Sequence, residues 1–178
     1  MRRRASLAAL GIATFLTLLC LVVGVRSTAA APDGVKAVAL LGVQFINDHA
    51  DLEPTNDAER ARLASIEQLF KSRLDASGRY RFVAIPADAA AKIASGPEIG
   101  ACGGCEFDLG RQLGADYAAW IVVQKVSNLI LNINVYMVDV ATKKPAFVHS
   151  VDIRGNTDES WTRGMIYLVK NYLLAEPL

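Results

Sequence analysis

The chain has 178 residues, 52% of them hydrophobic and 21% charged, with 13 glycines, three cysteines and a formal net charge of +1. Four of its 19 basic residues (Arg2, Arg3, Arg4, Arg26) and none of its 18 acidic residues fall within residues 1–30, so the remainder carries 15 basic against 18 acidic side chains, a formal charge of −3. A mildly acidic body without a basic block has nothing to offset a phosphate backbone, which excludes nucleic acid as the expected partner.

Residues 1–30 read as a secretory signal peptide. Arg2 to Arg4 give the positive start, Ala5 to Val25 is uncharged and rich in Leu, Ala and Val, and Ser27 to Ala31 supplies small residues for a peptidase. The apolar run is nearly long enough to span a bilayer, so an uncleaved anchor is the competing reading. Cleavage after Ala29 or Ala30 is favoured, because Pro32 disfavours a cut just before it. The expectation is therefore periplasmic, with no stable membrane insertion after cleavage, and residues 31–178 form a single α/β domain. Cys20 leaves with the signal. Cys102 and Cys105 remain, and an even pair in an oxidising compartment most simply forms one disulfide.

In chain order, Val35 to Ile46 is an almost unbroken apolar run, as in a strand buried on both faces. After a polar stretch, Thr55 or Asn56 caps a helix whose Leu63, Ile66, Leu69, Phe70 and Leu74 make one stripe, closed by Gly78. Tyr80 to Ile85 is a short second strand, ended by Pro86. A helical segment runs from about Asp88 to Ala94, a glycine-rich loop covers Ser95 to Gly104, and a third helix runs from Cys105 to Leu113. Tyr117 to Val126, Leu129 to Val140 and Ala146 to Ile153 are strands in quick succession, predicting an antiparallel meander. Asn156 and Glu159 have the spacing of a capping box ahead of a last amphipathic helix. The expected fold is a two-layer sandwich, a mixed sheet ending in that meander with helices packed on it.

Three phrases, GACGGCEFDLGRQLGADY, VVQKVSNLILNINVYMVDVATKK and SVDIRGNTDESWTRG, resemble a family of small secreted bacterial proteins of uncharacterised function, of the DUF2380 type. That family is itself similar in outline to the amino-terminal domain of TolB. The resemblance covers Val35 to Leu174. It implies a TolB amino-terminal-domain-like fold, a periplasmic address and an association with quinoprotein dehydrogenase systems, and it brings no catalytic residues.

The Cys102-Gly103-Gly104-Cys105 motif is the sharpest local feature. At a helix start it could lower a thiol pKa and support thiol–disulfide exchange. It could equally be a structural staple, since loop rather than a buried strand precedes it. Glu106 stands where haem attachment needs a histidine, and zinc would need two further ligands, so no cofactor and no metal are expected. The acidic stretch from Asn47 to Glu59 fails the calcium-loop register, with Leu52 on the glycine position or Ala58 on the glutamate position. His49 and His149 are the only histidines, and no nucleophile–base set accompanies them, so no catalytic residues are assigned. What remains is recognition. Asn132, Asn134 and Tyr136 alternate along the longest strand, opposite Leu131, Ile133 and Val135, with Lys125 expected nearby across the hairpin. Arg154 and Asp158 flank a second candidate contact loop. The expectation is a non-catalytic accessory module that binds a protein or envelope partner, with thiol–disulfide chemistry as the alternative.

Overall fold

The computed structural model describes residues 34–175; the expected signal peptide, residues 1–30, lies outside the described residues. Five strands, β1 (Lys36–Asn47), β2 (Tyr80–Phe82), β3 (Tyr117–Lys125), β4 (Ile130–Asp139) and β5 (Lys144–Arg154), form one sheet in the order β2-β1-β3-β4-β5. β1 runs parallel to both β2 and β3, whereas β3, β4 and β5 are antiparallel neighbours. The mixed sheet and its C-terminal meander are therefore as the sequence predicts. The helices are α1 (Asp57–Ala76), α2 (Ala87–Ser95), α3 (Cys105–Gln112) and α4 (Asp158–Leu168), the last running into a π-helical turn at Val169–Leu173.

On one face, Ile66, Phe70 and Leu74 of α1 and Trp161, Met165 and Leu168 of α4 bury against Ile121, Val123, Leu131, Ile133, Val135 and Met137 of the sheet. Each of these larger side chains contributes about 1.5–3 kcal/mol through removal from water. The opposite face is covered only in part. There Ala39, Leu41, Ala118, Trp120, Val138 and Val140 pack with Ile99 and with Ile93, Phe107 and Leu109 of α2 and α3. A partial third layer thus joins the two expected, and it stops short of most of β4 and β5. The chain moves from β1 to β2 over one face and from β2 to β3 over the other, in opposite directions along the sheet. The two crossovers therefore share one hand, as strand twist requires.

The capping box occurs, but on α1. The Asn56 side chain accepts from the Glu59 N–H (2.9 Å) and Glu59 Oε2 accepts from the Asn56 N–H (3.0 Å). At α4 the cap is Thr157, whose hydroxyl accepts from the Ser160 N–H at 3.2 Å. Asn156, expected in that role, is diverted. Its amide oxygen accepts from Trp161 Nε1 and from Arg62, and its amide nitrogen donates to Glu59 and Asn128. Identical Asn-x-x-Glu spacing thus gives two outcomes, because tertiary partners compete with the local cap.

Candidate functional site

The uncovered face of the meander comes directly from strand pairing. Tyr136 sits between Trp120 and Val148, Asn134 between Val122 and Ser150, Asn132 between Gln124 and Asp152, and Ile130 opposite Arg154. Their neighbours in β4, Leu131, Ile133 and Val135, are fully buried against the helices of the other face, so the period of two fixes which residues look outward. Ile130 (44% exposed) and Val148 (57%) leave apolar surface on this face, bracketing the asparagines and the tyrosine. Tyr136 stacks on Trp120 with centroids 5.0 Å apart and planes 9° from parallel. Gly100 lies against the same indole: a Cβ there would come within 2.9 Å of Trp120 Nε1. The stack is thereby pinned from the loop side.

Asn132 and Asn134 are tied to one another. The Asn134 amide nitrogen donates to Asn132 Oδ1 (2.6 Å) and to the Val122 carbonyl (3.1 Å). These bonds hold the two amides in one orientation across the half-buried strand surface and account for two poor strand formers in β4.

Lys125 does not belong to this face, contrary to the expectation. The register pairs it with Leu131, while Gln124 stands beside Asn132. Its side chain therefore turns toward the helices, where it is 1% exposed. Its ammonium donates to Glu59 Oε1 at 2.8 Å and lies 3.3 Å from Glu53 Oε1. Burial alone would lower the Lys125 pKa, but the two carboxylates more than offset it and the net direction is up. Burial likewise pushes Glu59 up, and Lys125, the Asn56 N–H and Asn156 together bring it below the ordinary carboxylate range. Glu53 is held down by hydrogen bonds first from Asn128 and then from Lys125.

Asp158 is also separated from the asparagines. It opens α4 on the helix side and accepts from Arg62 Nε at 2.7 Å. Of the six residues expected at a contact surface, Asn132, Asn134, Tyr136 and Arg154 share the open face. Gln124, Ile130 and Val148 join them there, Ile130 by the same alternation that aligns Asn132, Asn134 and Tyr136, whereas Trp120 on that side of the sheet is buried (7% exposed) between Tyr136 and the loop at Gly100.

Cys102 and Cys105 are disulfide-bonded, with Cα atoms 5.6 Å apart, at the start of α3. Glu106, 8% exposed, places Oε2 3.0 Å from Cys102 Sγ. A disulfide sulfur carries no proton, so this is a contact rather than a hydrogen bond in the oxidised state. Cys102, Cys105 and Glu106 lie close enough to share an ion, but the disulfide consumes both thiolates that would make such a site strong. Among the described residues, no helix is long and apolar enough to cross a membrane.

Comparison with known proteins adds the following. No match to a curated protein was found. Lipoprotein GNA1162 from Neisseria meningitidis superposes with a TM-score of 0.48 at 14% identity, covering 80% of this chain and 99% of that one. The LpoB C-terminal domain from Escherichia coli gives 0.47 at 14% identity, covering 71% and 88%. TolB from Acinetobacter baumannii gives 0.43 at 14% identity, covering 79% of this chain and 29% of that one. At these scores the likenesses carry no argument about partner, ligand or activity. The sequence evidence is firmer: residues 36–173 match the family model described as a protein of unknown function (DUF2380), and the chain belongs to that family.

Proposed function

We propose that this chain is an exported periplasmic accessory module, non-catalytic, that binds a protein partner of the cell envelope. The observation that carries the reading is the incomplete cover of the sheet. One face is sealed by α1 and α4, whereas Ile130 and Val148 remain exposed around a fixed amide pair and an aromatic stack on the other. Protein contact surfaces combine apolar area with direct hydrogen bonds, and this face offers both. Periplasmic quinoprotein dehydrogenase components, the class implied by the family resemblance, are the partners to try first.

The test uses the mature protein as bait in its own periplasmic extract, beside an Asn132→Thr/Asn134→Thr variant. Threonine keeps strand preference and polarity while shortening the hydrogen-bonding reach. A partner held by the wild type and lost by the folded variant supports the reading. Capture by neither protein, with both folded, rejects it.

A second reading, thiol–disulfide exchange, is favoured by the Glu106 contact, since a buried carboxylate beside Cys102 can take the proton of a reduced thiol. It ranks second because Glu106 and Asp108 both lie in the first turn of α3, and their charge works against a thiolate there. A Cys105→Ser variant that accumulates mixed disulfides with other proteins would promote it.

A further inference from the structure

Among the described residues, β5 ends the sheet and its outer edge has no neighbouring strand. The Arg154 carbonyl accepts from the Ser160 hydroxyl of α4 at 2.7 Å, while the next N–H, of Gly155, turns back to the Leu129 carbonyl at 3.1 Å. Main-chain groups in an antiparallel ladder alternate sides residue by residue. The N–H and C=O of Asp152, Ser150 and Val148 therefore point outward with Arg154. The register shift lies earlier, at Met137/Val138. Lys144 and Pro145 blunt the start of this edge in the usual protective way, whereas the stretch from Val148 to Arg154 contains neither lysine nor proline.

A groove of about 450 Å³ runs along that stretch, and one wall is the unbroken run Ser150–Arg154. Along this wall Ser150, Asp152 and Arg154 are exposed and alternate with buried Val151 and Ile153, in step with the main-chain groups that the ladder turns outward. The other wall is α4, through Ser160, Arg163, Gly164 and Tyr167 at helical spacing, with Tyr172 at the end. Gly164 is what lets α4 lie so near the strand, because a Cβ there would collide with Ile153 Cγ2.

We propose that this groove takes an extended peptide segment of a partner protein as a sixth strand, one that alternates apolar and carboxylate side chains. The proposal rests on the binding-module reading and moves the primary contact from the open face to the sheet edge. Main-chain hydrogen bonds supply affinity in such strand addition, and flanking side chains supply selectivity. Arg154 and Arg163 outnumber Asp152 among the charged groups lining the groove. The Arg163 pairing with Glu159, 3.3 Å with both side chains 74% exposed, holds it only weakly. Tyr167 (52% exposed) and Tyr172 (40%) offer apolar ring surface beside it. A second copy of this chain pairing through its own β5 would bring another Arg154 and Arg163 to the same seam, so charge favours a foreign acidic segment.

The experiment titrates the isotope-labelled mature chain with a capped peptide of alternating Val and Glu, about eight residues long, and with its Val–Lys counterpart. The expected result is saturable movement of the Val148, Ser150 and Asp152 amide signals by the acidic peptide, with the basic one at least about tenfold weaker. Ser150→Pro removes an outward N–H that the ladder does not use, and it should weaken binding by about tenfold or more. Arg163→Glu, on the exposed helix surface, should reverse the preference toward the basic peptide and covers the case in which the proline variant misfolds. Absence of saturable movement, shifts centred on Asn132 and Asn134, or unchanged binding by folded Ser150→Pro would overturn the proposal. A wild-type dimer lost in Ser150→Pro, without peptide binding, would make a second copy the occupant instead. If periplasmic capture survives in Ser150→Pro but fails in the asparagine variant, the binding reading stands and only the groove falls.

Discussion

Lys125 Nζ lies 2.8 Å from Glu59 Oε1 in a pair that is 1% and 0% exposed, joining the end of β3 to the first turn of α1. Around it, Asn156 ties the β5–α4 loop to Glu59, and Asn128 of the β3–β4 turn binds both Asn156 and Glu53. The ammonium thus meets two carboxylates, Glu59 and Glu53, and the two asparagines extend that network at one end of the sheet. Removing one partner of such a pair leaves a buried charge, whereas replacing both can be nearly neutral. Lys125→Met is therefore expected to lower unfolding free energy by about 3–5 kcal/mol. The double variant Lys125→Met/Glu59→Leu should recover part of that loss, less the bonds Asn156 and Asn56 make to Glu59. Urea denaturation of the three proteins checks this; equal losses in the single and double variants would count against it.

The same pair sets a pH dependence. Glu59 has a folded pKa below its unfolded value, so its contribution is present above about pH 4.5 and fades as pH falls through the lowered folded value. Lys125 has a folded pKa above 10.5, so its contribution is present below that value and fades as pH rises through the raised one. Stability should form a plateau between the two. In Lys125→Met the acid limb should move to higher pH, because the buried Glu59 then lacks its cation. Thermal midpoints measured from pH 3 to pH 11 would show the shift or its absence.

The disulfide closes a loop with a sequence separation of only three, so its loop-closure gain is small and its value is local. Replacing both cysteines with serine should lower the thermal midpoint modestly and loosen the loop that pins Trp120 through Gly100. Hydrogen exchange should quicken in residues 96–106 more than in β4 or β5. Uniform quickening across the sheet would instead show that the staple carries global stability.

Gly164 is buried, and the methyl of Gly164→Ala would meet Ile153 Cγ2 and, at 3.3 Å, Ile133 Cδ1. Overpacking of this kind costs about 1–3 kcal/mol even though alanine has the higher helix propensity. A variant as stable as the parent would mean that α4 can lift from the strand freely.

The asparagine pair supplies a further check. The Asn132→Thr/Asn134→Thr variant gives up the bonds from the Asn134 amide to Asn132 and Val122, and a loss of about 1–2 kcal/mol is expected. Urea unfolding measures it. Complete unfolding would mark the amides as structural and remove them from the contact surface.

The element order and the inward face of β4 were legible in the sequence, because local periodicity reports which side of a strand or helix is apolar. Leu131, Ile133 and Val135 are core for that reason, and Gly78 ends α1 in a left-handed conformation (φ 67°) as its position implied. The disulfide was legible too, from the cysteine count and the oxidising compartment expected from the signal-like start. Three things were decided by tertiary structure alone. Lys125 reads as a surface cation in a strand, and only the pairing of Lys125 with Leu131 turns it inward to Glu59, 66 residues away. Asn156 has the spacing of a helix cap, and it is taken instead by Trp161, Arg62, Glu59 and Asn128, which no local rule can see. The exposed edge of β5 depends on strand order. A sequence states what each face of a strand prefers, but the neighbour that fills or leaves open its hydrogen-bonding edge is chosen by the assembly of the whole sheet.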